Sequence, residues 1–143
     1  MRRSILIAAA VLGSVSTQSY AAEEKQVRIP GIYTNMAYIE DAGDLVGTEI
    51  FIISTGDGYV AFFQCWTGSS THPVTFPVEV AGETISFTVP EDSSCKEGDY
   101  KGRISKSGFD GTWTHKMLDG SSKKDPVHLK RGKSYFQSKS DWK

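Results

Sequence analysis

The chain has 143 residues but only two cysteines, three histidines and no apolar run of membrane-spanning length. A structural zinc site takes four ligands, mostly cysteine and histidine, so two distant cysteines are too few. A spanning helix needs about 20 consecutive apolar residues, and the longest apolar run, residues 5–12, is far shorter. We therefore predict no metal site and no membrane span in the mature chain.

Recognisable catalytic motifs are also missing. The sequence contains no G-x-S-x-G, no H-E-x-x-H, no paired C-x-x-C and no glycine-rich phosphate loop that opens a helix. His72, His115 and His128 lie in three separate segments. Asp110 and His115 share a predicted strand but lie on opposite faces, because their separation is odd. We predict no catalytic residue and no cofactor, and interpret the protein as a non-enzyme.

The first 21 residues have the features of a secretory signal peptide. Arg2 and Arg3 precede the apolar run 5–12, and Ser19 and Ala21 place small residues where signal peptidase reads them. We predict cleavage after Ala21 and export to the periplasm or the extracellular space.

Export gives the two cysteines a role. In an oxidising compartment Cys65 and Cys95 are expected to form one disulfide, because no other thiol competes for them. By the chain-entropy model a closed loop of this size stabilises the fold by roughly 3–4 kcal/mol.

The mature chain has about 120 residues, enough for one hydrophobic core and too few for two. Its charge is unevenly distributed. Residues 22–115 contain 6 basic and 14 acidic residues, whereas residues 116–143 contain 8 basic and 3 acidic residues. The net charge is too mild to predict a nucleic acid or a membrane surface as partner. Either the basic C-terminal segment packs across an acidic body, or it binds an acidic partner.

Apolar residues alternate with polar ones along the mature chain, and Gly, Pro, Asp and Ser interrupt them roughly every 8–12 residues, which is typical of an all-β sandwich or barrel. Short sequential hairpins favour an up-and-down antiparallel barrel, lipocalin-like or avidin-like in architecture only, over a two-sheet β-sandwich. We predict one barrel domain over residues 22–131, with its last strand paired to its first, and a polar basic tail over 132–143. The eight predicted strands cover residues 27–33, 47–54, 59–66, 74–80, 84–89, 100–105, 109–115 and 127–131.

Three further segments receive a prediction. Residues 36–42 are the only candidate for a helical turn, residues 117–125 form a polar surface loop, and the chain frays from Gly132 onward. The strands 47–54 and 59–66 are apolar on both faces, so something must cover the second face. We expect that cover to come from residues 36–42 or from Tyr135 and Phe136, and we favour a monomer over a homodimer.

Four residues are candidates for a binding site. Glu49 follows a glycine-rich turn and is either solvated or buried in a cavity; if it is buried, a donor must compensate it. Trp66 and Trp113 are either core residues or a stacking wall for a small ligand. The donors available to Glu49 are Tyr33, Tyr59, Tyr100 and Arg103, and the candidate binding residues are Tyr33, Glu49, Trp66 and Trp113.

The pattern of glycines and strand residues resembles a group of small secreted bacterial proteins without an established activity. The resemblance covers nearly the whole mature chain and implies a β-fold rather than a chemistry, so it assigns no catalytic residue. It is carried by Gly31-x-Tyr33, Gly43-Asp44-x-x-Gly47-x-Glu49-Ile50, Gly58-Tyr59, Pro73-Val74, Ile85-x-Phe87, Gly102-x-Ile104, Gly108-Phe109-x-Gly111, Leu129-Lys130-Arg131 and Ser134-Tyr135.

Three hypotheses about function follow. The first is a non-catalytic binding module that holds a small ligand or a peptide at the barrel mouth or on the covered apolar face. The second is a protein-directed inhibitor or immunity-type protein that acts through a loop, either 67–73 or 117–125. The third is a hydrolase of cell-envelope material, which needs a carboxylate or a serine beside a histidine in a cleft.

Overall fold

The computed structural model describes residues 27–69, 71–93 and 95–138. The predicted signal peptide and Trp142 lie outside these residues. The described chain forms nine strands in one antiparallel sheet that closes on itself: eight make a barrel, and β2 is an extra strand. The predicted barrel is therefore confirmed. The strands are β1 (Gly31–Thr34), β2 (Ala37–Ile39), β3 (Asp44–Thr55), β4 (Gly58–Thr67), β5 (Val74–Ala81), β6 (Thr84–Val89), β7 (Gly98–Ile104), β8 (Gly108–Lys116) and β9 (Ser122–Gly132).

Helix contributes little to the described chain. A 3₁₀ turn covers Glu91–Ser93, and one short helix, α1, covers Tyr135–Ser138. Neither helix has the length or the apolar character needed to cross a membrane.

The barrel is an up-and-down meander. From β3 to β9 each strand pairs with the next, and β1 closes the sheet by pairing with β3 on one side and β9 on the other. Tyr33 on β1 lies opposite both Ile50 and Arg131. The predicted pairing of the last strand with the first is confirmed.

Aromatic side chains fill the barrel interior. The ring of Phe87 stacks on Phe76 at 5.2 Å and on Tyr100 at 4.9 Å between centroids. Phe63 and Phe109 pack around this stack. The alternating residues of each strand that face inward thus form one continuous buried cluster, as the period of two predicts.

β1 and β2 are a single strand interrupted at Asn35. Both pair with β3 in one register, since Thr34 lies opposite Glu49 and Ala37 opposite Val46. At the interruption the side-chain oxygen of Asn35 accepts a hydrogen bond from the Thr48 amide at 2.7 Å. The predicted helical turn at residues 36–42 is therefore wrong over residues 37–39, which form β2; a single turn follows, in which the Gly43 amide donates to the Ile39 carbonyl at 2.9 Å. Pairing with a strand that is already formed outweighs a short helix, whose first turn is costly to nucleate.

Two other predictions need correction at the C-terminal end. The predicted surface loop 117–125 is an exposed loop only over residues 117–121, because β9 already begins at Ser122, which pairs with Lys116. The described part of the tail does not fray, because Ser134 is buried and α1 follows it. Both segments are polar in sequence, yet each finds backbone or side-chain partners in the barrel.

The barrel wall is split on one side. Pairing of β1 with β9 ends at Thr34 and Lys130, although β9 extends eight residues further, to Ser122. The same register would place Ala37 opposite Val127, but β2 pairs only with β3. We call the gap between β2 and the free part of β9 the β2–β9 cleft.

Candidate functional site

The β2–β9 cleft contains a pocket of about 210 Å³. This is smaller than the roughly 300–1,000 Å³ of pockets that hold drug-sized ligands, so the space suits a small molecule or one side chain. Asn35 and Thr48 line one side and residues 125–129 the other, while Lys96, Tyr100 and Trp113 complete the lining.

Trp113 reaches the cleft from β8. It lies opposite Tyr100 on β7 and Asp125 on β9, and its side chain is half-buried. The indole N–H donates to the Glu97 carbonyl at 2.8 Å, and the His115 ring stacks on the indole at 3.9 Å between centroids. The orientation of the indole is therefore set by backbone as well as by side-chain contacts.

Residues 91–93 and 95–97 form a lid over this end of the barrel. The predicted disulfide between Cys65 and Cys95 is confirmed, with Cα atoms 6.3 Å apart, and it ties the lid to the end of β4. The Tyr100 hydroxyl, on β7, donates to the Lys96 carbonyl at 2.9 Å. The covalent bond and the hydrogen bonds from Tyr100 and Trp113 thus fix the lid against the barrel.

Lys96 has a strained backbone conformation at the centre of the lid. Its φ is 55°, in the left-handed region that non-glycine residues rarely adopt. This conformation places the ammonium 4.9 Å from the centroid of the Trp113 ring. Within the described residues Lys96 forms no salt bridge, so its positive charge is not neutralised by a carboxylate.

A histidine and a carboxylate meet beside the cleft. His115 Nε2 lies 2.9 Å from Asp125 Oδ2, and Lys123 Nζ lies 2.9 Å from Asp125 Oδ1. Both contacts lower the pKa of the Asp125 carboxyl, and the hydrogen bond with His115 has the larger effect. In the part of the chain that the structure describes, the His115 ring makes no hydrogen bond to a serine or threonine. The pair ties β8 to β9, and it provides the carboxylate beside a histidine that the hydrolase hypothesis requires, although without a hydroxyl nucleophile bonded to the ring.

Glu49 is completely buried, but on the outer face of the barrel. Its carboxylate accepts hydrogen bonds from Gln64 Nε2 at 3.1 Å, Ser134 Oγ at 2.7 Å and the Tyr135 amide at 2.8 Å. We call these four residues the C-terminal clasp. The prediction that Tyr33, Tyr59, Tyr100 or Arg103 donates to Glu49 is wrong. These side chains lie on other strands, or on other faces of the barrel, than the clasp residues.

The four predicted binding residues are not brought together. Tyr33 is in the core, where its hydroxyl donates to the Ile29 carbonyl at 2.6 Å. Trp66 lies on the outer face beside Glu49, with the ring of Phe136 5.7 Å away. Only Trp113 lies in the cleft.

The outer face of β3 and β4 is only partly covered. Phe136 packs on Trp66, as predicted for the C-terminal residues. Further along the same face Phe62 and Phe51 contact each other edge to face at 6.1 Å, while Phe62 remains 40 % exposed and Ile53 57 % exposed. The C-terminal residues therefore shield from solvent the half of this face that contains Glu49.

A wider depression of about 360 Å³ lies on the outside of β5, β6 and β7. Its two carboxylates already have partners there, since Glu79 accepts from Ser86 at 3.3 Å and Asp99 accepts from Thr88 at 2.7 Å. The β2–β9 cleft, with an unneutralised cation beside an indole, is the better candidate for a binding site.

Sequence reasoning missed Asn35, Thr48, Lys96 and residues 125–129, which line most of the cleft. The one available signal was Cys95, because a disulfide brings its neighbour Lys96 to the barrel wall. Comparison of the chain with known proteins gives no further guide to the site, since no family model, curated protein or solved structure matches it.

Proposed function

We propose that this protein is a secreted, non-catalytic binding module that holds a small ligand in the β2–β9 cleft. The observation that carries the proposal is the pocket of about 210 Å³, which combines the Trp113 indole with the unneutralised ammonium of Lys96. Convergent polar groups beside an aromatic surface are typical of small-molecule sites.

The packed interior supports a site in the wall rather than in the barrel. Phe76, Phe87 and Tyr100 occupy the axis with stacked rings, as in a filled core. A ligand held inside the barrel in the lipocalin manner would have to displace these rings. The split between β2 and β9 offers the alternative, because there the wall itself is open.

The charges of the cleft favour an anionic ligand. Asp125 is already bonded to His115 and Lys123, whereas Lys96 has no acidic partner in the described chain. A ligand with a carboxylate next to an apolar ring would pair with the ammonium and contact the indole. The left-handed backbone conformation of Lys96 is consistent with this role, since strained residues are concentrated at functional sites such as ligand clamps.

A small ligand is favoured over a peptide strand because the free edge of β9 is poorly suited to pairing. Lys123, Lys124 and Pro126 lie along it, and lysine and proline are the residues that natural sheets place on edges to prevent strand addition. Pro126 also lacks the N–H that an incoming strand would need.

Export is part of the same proposal. The disulfide between Cys65 and Cys95 is consistent with an oxidising compartment, and the sequence 1–21 supports secretion. The resemblance to small secreted bacterial proteins agrees with this location.

The test is a titration followed by ¹⁵N–¹H NMR with three probes of one shape: phenylacetate, phenethylamine and benzyl alcohol. We expect phenylacetate to bind best and to shift the Trp113 indole N–H and the amides of residues 96 and 125–129. Lys96→Met should weaken phenylacetate binding by up to about fivefold, the magnitude of one exposed ion pair. The matched control Lys101→Met, on the outer face of β7, should leave it unchanged. Shifts confined to another surface, or an equal loss in both variants, contradict the proposal.

A further inference from the structure

Two protruding turns flank the β2–β9 cleft at the same end of the barrel. The acidic tip joins β2 to β3 and consists of Ile39, Glu40, Asp41 and Asp44, all exposed. The basic tip joins β8 to β9 and comprises Lys116, Met117, Leu118 and Lys124, also exposed. β2 continues β1 along β3, and β1 runs antiparallel to β9, so the two tips lie at the same end of the barrel.

Among the residues that the structure describes, the charged groups of these tips, including Glu40, Asp41, Lys116 and Lys124, form no salt bridge. Asp119, the acidic residue of the basic hairpin, accepts hydrogen bonds from the amide and the hydroxyl of Ser121 at 2.9 and 2.6 Å. Asp119 keeps its negative charge, but Lys116 and Lys124 outnumber it, so each tip presents an excess of one sign, and the signs are opposite.

Both tips also expose apolar side chains. Ile39 is 42 % exposed, Met117 is 43 % exposed and Leu118 is completely exposed. The turn that carries Leu118 is ordered, since the Met117 amide donates to the Ser121 carbonyl at 2.8 Å. Burying an apolar side chain that is already held in a rigid turn costs little additional entropy.

We propose that the two tips form the interface of a two-fold symmetric dimer, in which the acidic tip of each copy contacts the basic tip of its partner. A two-fold interface requires a surface that is complementary to itself, and two tips of opposite charge at the same end of the barrel meet this requirement. One symmetry operation then satisfies both pairs of tips at once. A foreign acidic protein would use the basic tip and leave the acidic tip unpaired. This inference does not depend on the proposed ligand, and it replaces the expectation of a monomer.

The small size of this interface predicts that the dimer is weak. Each tip supplies only a handful of exposed residues, whereas a stable interface takes roughly 20–30 residues from each partner. We therefore expect reversible association that depends on protein concentration. It should also weaken when NaCl rises from about 0.05 M to about 0.5 M, because the pairs are exposed to screening.

The test is sedimentation equilibrium of the full mature chain and of two charge-reversed variants. Lys116→Glu with Lys124→Glu makes both tips acidic, and Glu40→Lys with Asp41→Lys makes both tips basic. Each variant alone should dimerise at least about tenfold more weakly, because like charges then face each other. An equimolar mixture of the two should recover the association of the parent protein, since each reversed tip finds its complement on the other variant.

Two control variants keep the result specific. Lys101→Glu with Lys106→Glu reverses two exposed lysines away from the tips and should leave association unchanged. Ile53→Lys tests the exposed face of β3 and should also have no effect. Melting temperatures establish that all variants fold. The proposal is overturned if the parent protein stays monomeric, if Ile53→Lys abolishes association, or if the mixture fails to restore it.

Discussion

The two ends of the barrel are closed by different means. At one end β1 pairs with both β3 and β9, and the Arg131 guanidinium donates to the carbonyls of Arg28 and Pro30 while lying over the Tyr33 ring. At the other end strand pairing stops, and a disulfide and two side-chain hydrogen bonds hold a lid in place.

This difference shows where the molecule has room for a ligand. Backbone pairing closes a barrel completely and leaves no gap between strands, as at the β1 end. Where Asn35 interrupts the strand, the wall opens, and covalent and side-chain contacts take over the task of holding the end together. The pocket lies at that end, beside the lid.

The largest expected effect comes from removing the covalent closure. Replacing Cys65 and Cys95 with alanine should lower the free energy of unfolding by roughly 3.5 kcal/mol, the chain-entropy value for a loop of about 30 residues. Urea unfolding measures this loss. Thiol titration of the unreduced, denatured parent should find no free thiol, and two reactive thiols per chain would contradict the disulfide.

The C-terminal clasp gives the next largest effect. Glu49→Ala should destabilise the protein by about 2–3 kcal/mol, because it leaves the buried hydroxyl of Ser134 and the half-buried donors of Tyr135 and Gln64 without their acceptor. Ser134→Ala, which removes one donor, should cost about 1 kcal/mol. Thermal unfolding measures both losses, and limited proteolysis should cleave near α1 sooner in Glu49→Ala. Equal stability of the Glu49 variant and the parent would show that the clasp does not hold the tail.

Alkaline pH should destabilise the barrel through Tyr33 and Tyr100. Burial raises the pKa of both phenols, although Arg131 partly opposes the rise at Tyr33. Above the ordinary pKa of about 10, the unfolded chain has released phenolic protons that the folded chain keeps, so the free energy of unfolding falls as pH rises. Each tyrosine contributes at most about 1.4 kcal/mol per pH unit. Urea unfolding at a series of pH values above 9 measures the slope. Tyr100→Phe should flatten it, and an unchanged slope in that variant would contradict the assignment.

The smallest effect on stability is expected at Lys96. Lys96→Gly relieves a left-handed backbone strain of about 1–2 kcal/mol and loses a cation–π contact of about 0.5–1 kcal/mol, so stability should change by about 1 kcal/mol or less. Phenylacetate binding should nevertheless weaken as in Lys96→Met. A variant that keeps its affinity would separate the strain at Lys96 from ligand binding.

Local patterns were enough to predict most of the strands. In residues 74–80 and 84–89 apolar side chains alternate with polar ones, and the structure has β5 and β6 there. The disulfide followed from the two cysteines and the expected compartment. The strand residues 37–39 and 122–125 were missed because their strand partners are not visible in the segments themselves.

The sequence by itself determined that this chain is an antiparallel β-barrel with one disulfide, because alternation with a period of two and turn residues are local properties. Tertiary structure alone decided on which face of the barrel Glu49 is buried and where the wall opens. Glu49 meets Ser134 across 85 positions of the chain, and the cleft exists because pairing of β1 with β9, about 100 positions apart in sequence, ends at Thr34. Contacts between such distant residues depend on the register in which the barrel closes, and a shift of one residue would exchange the two faces of every strand.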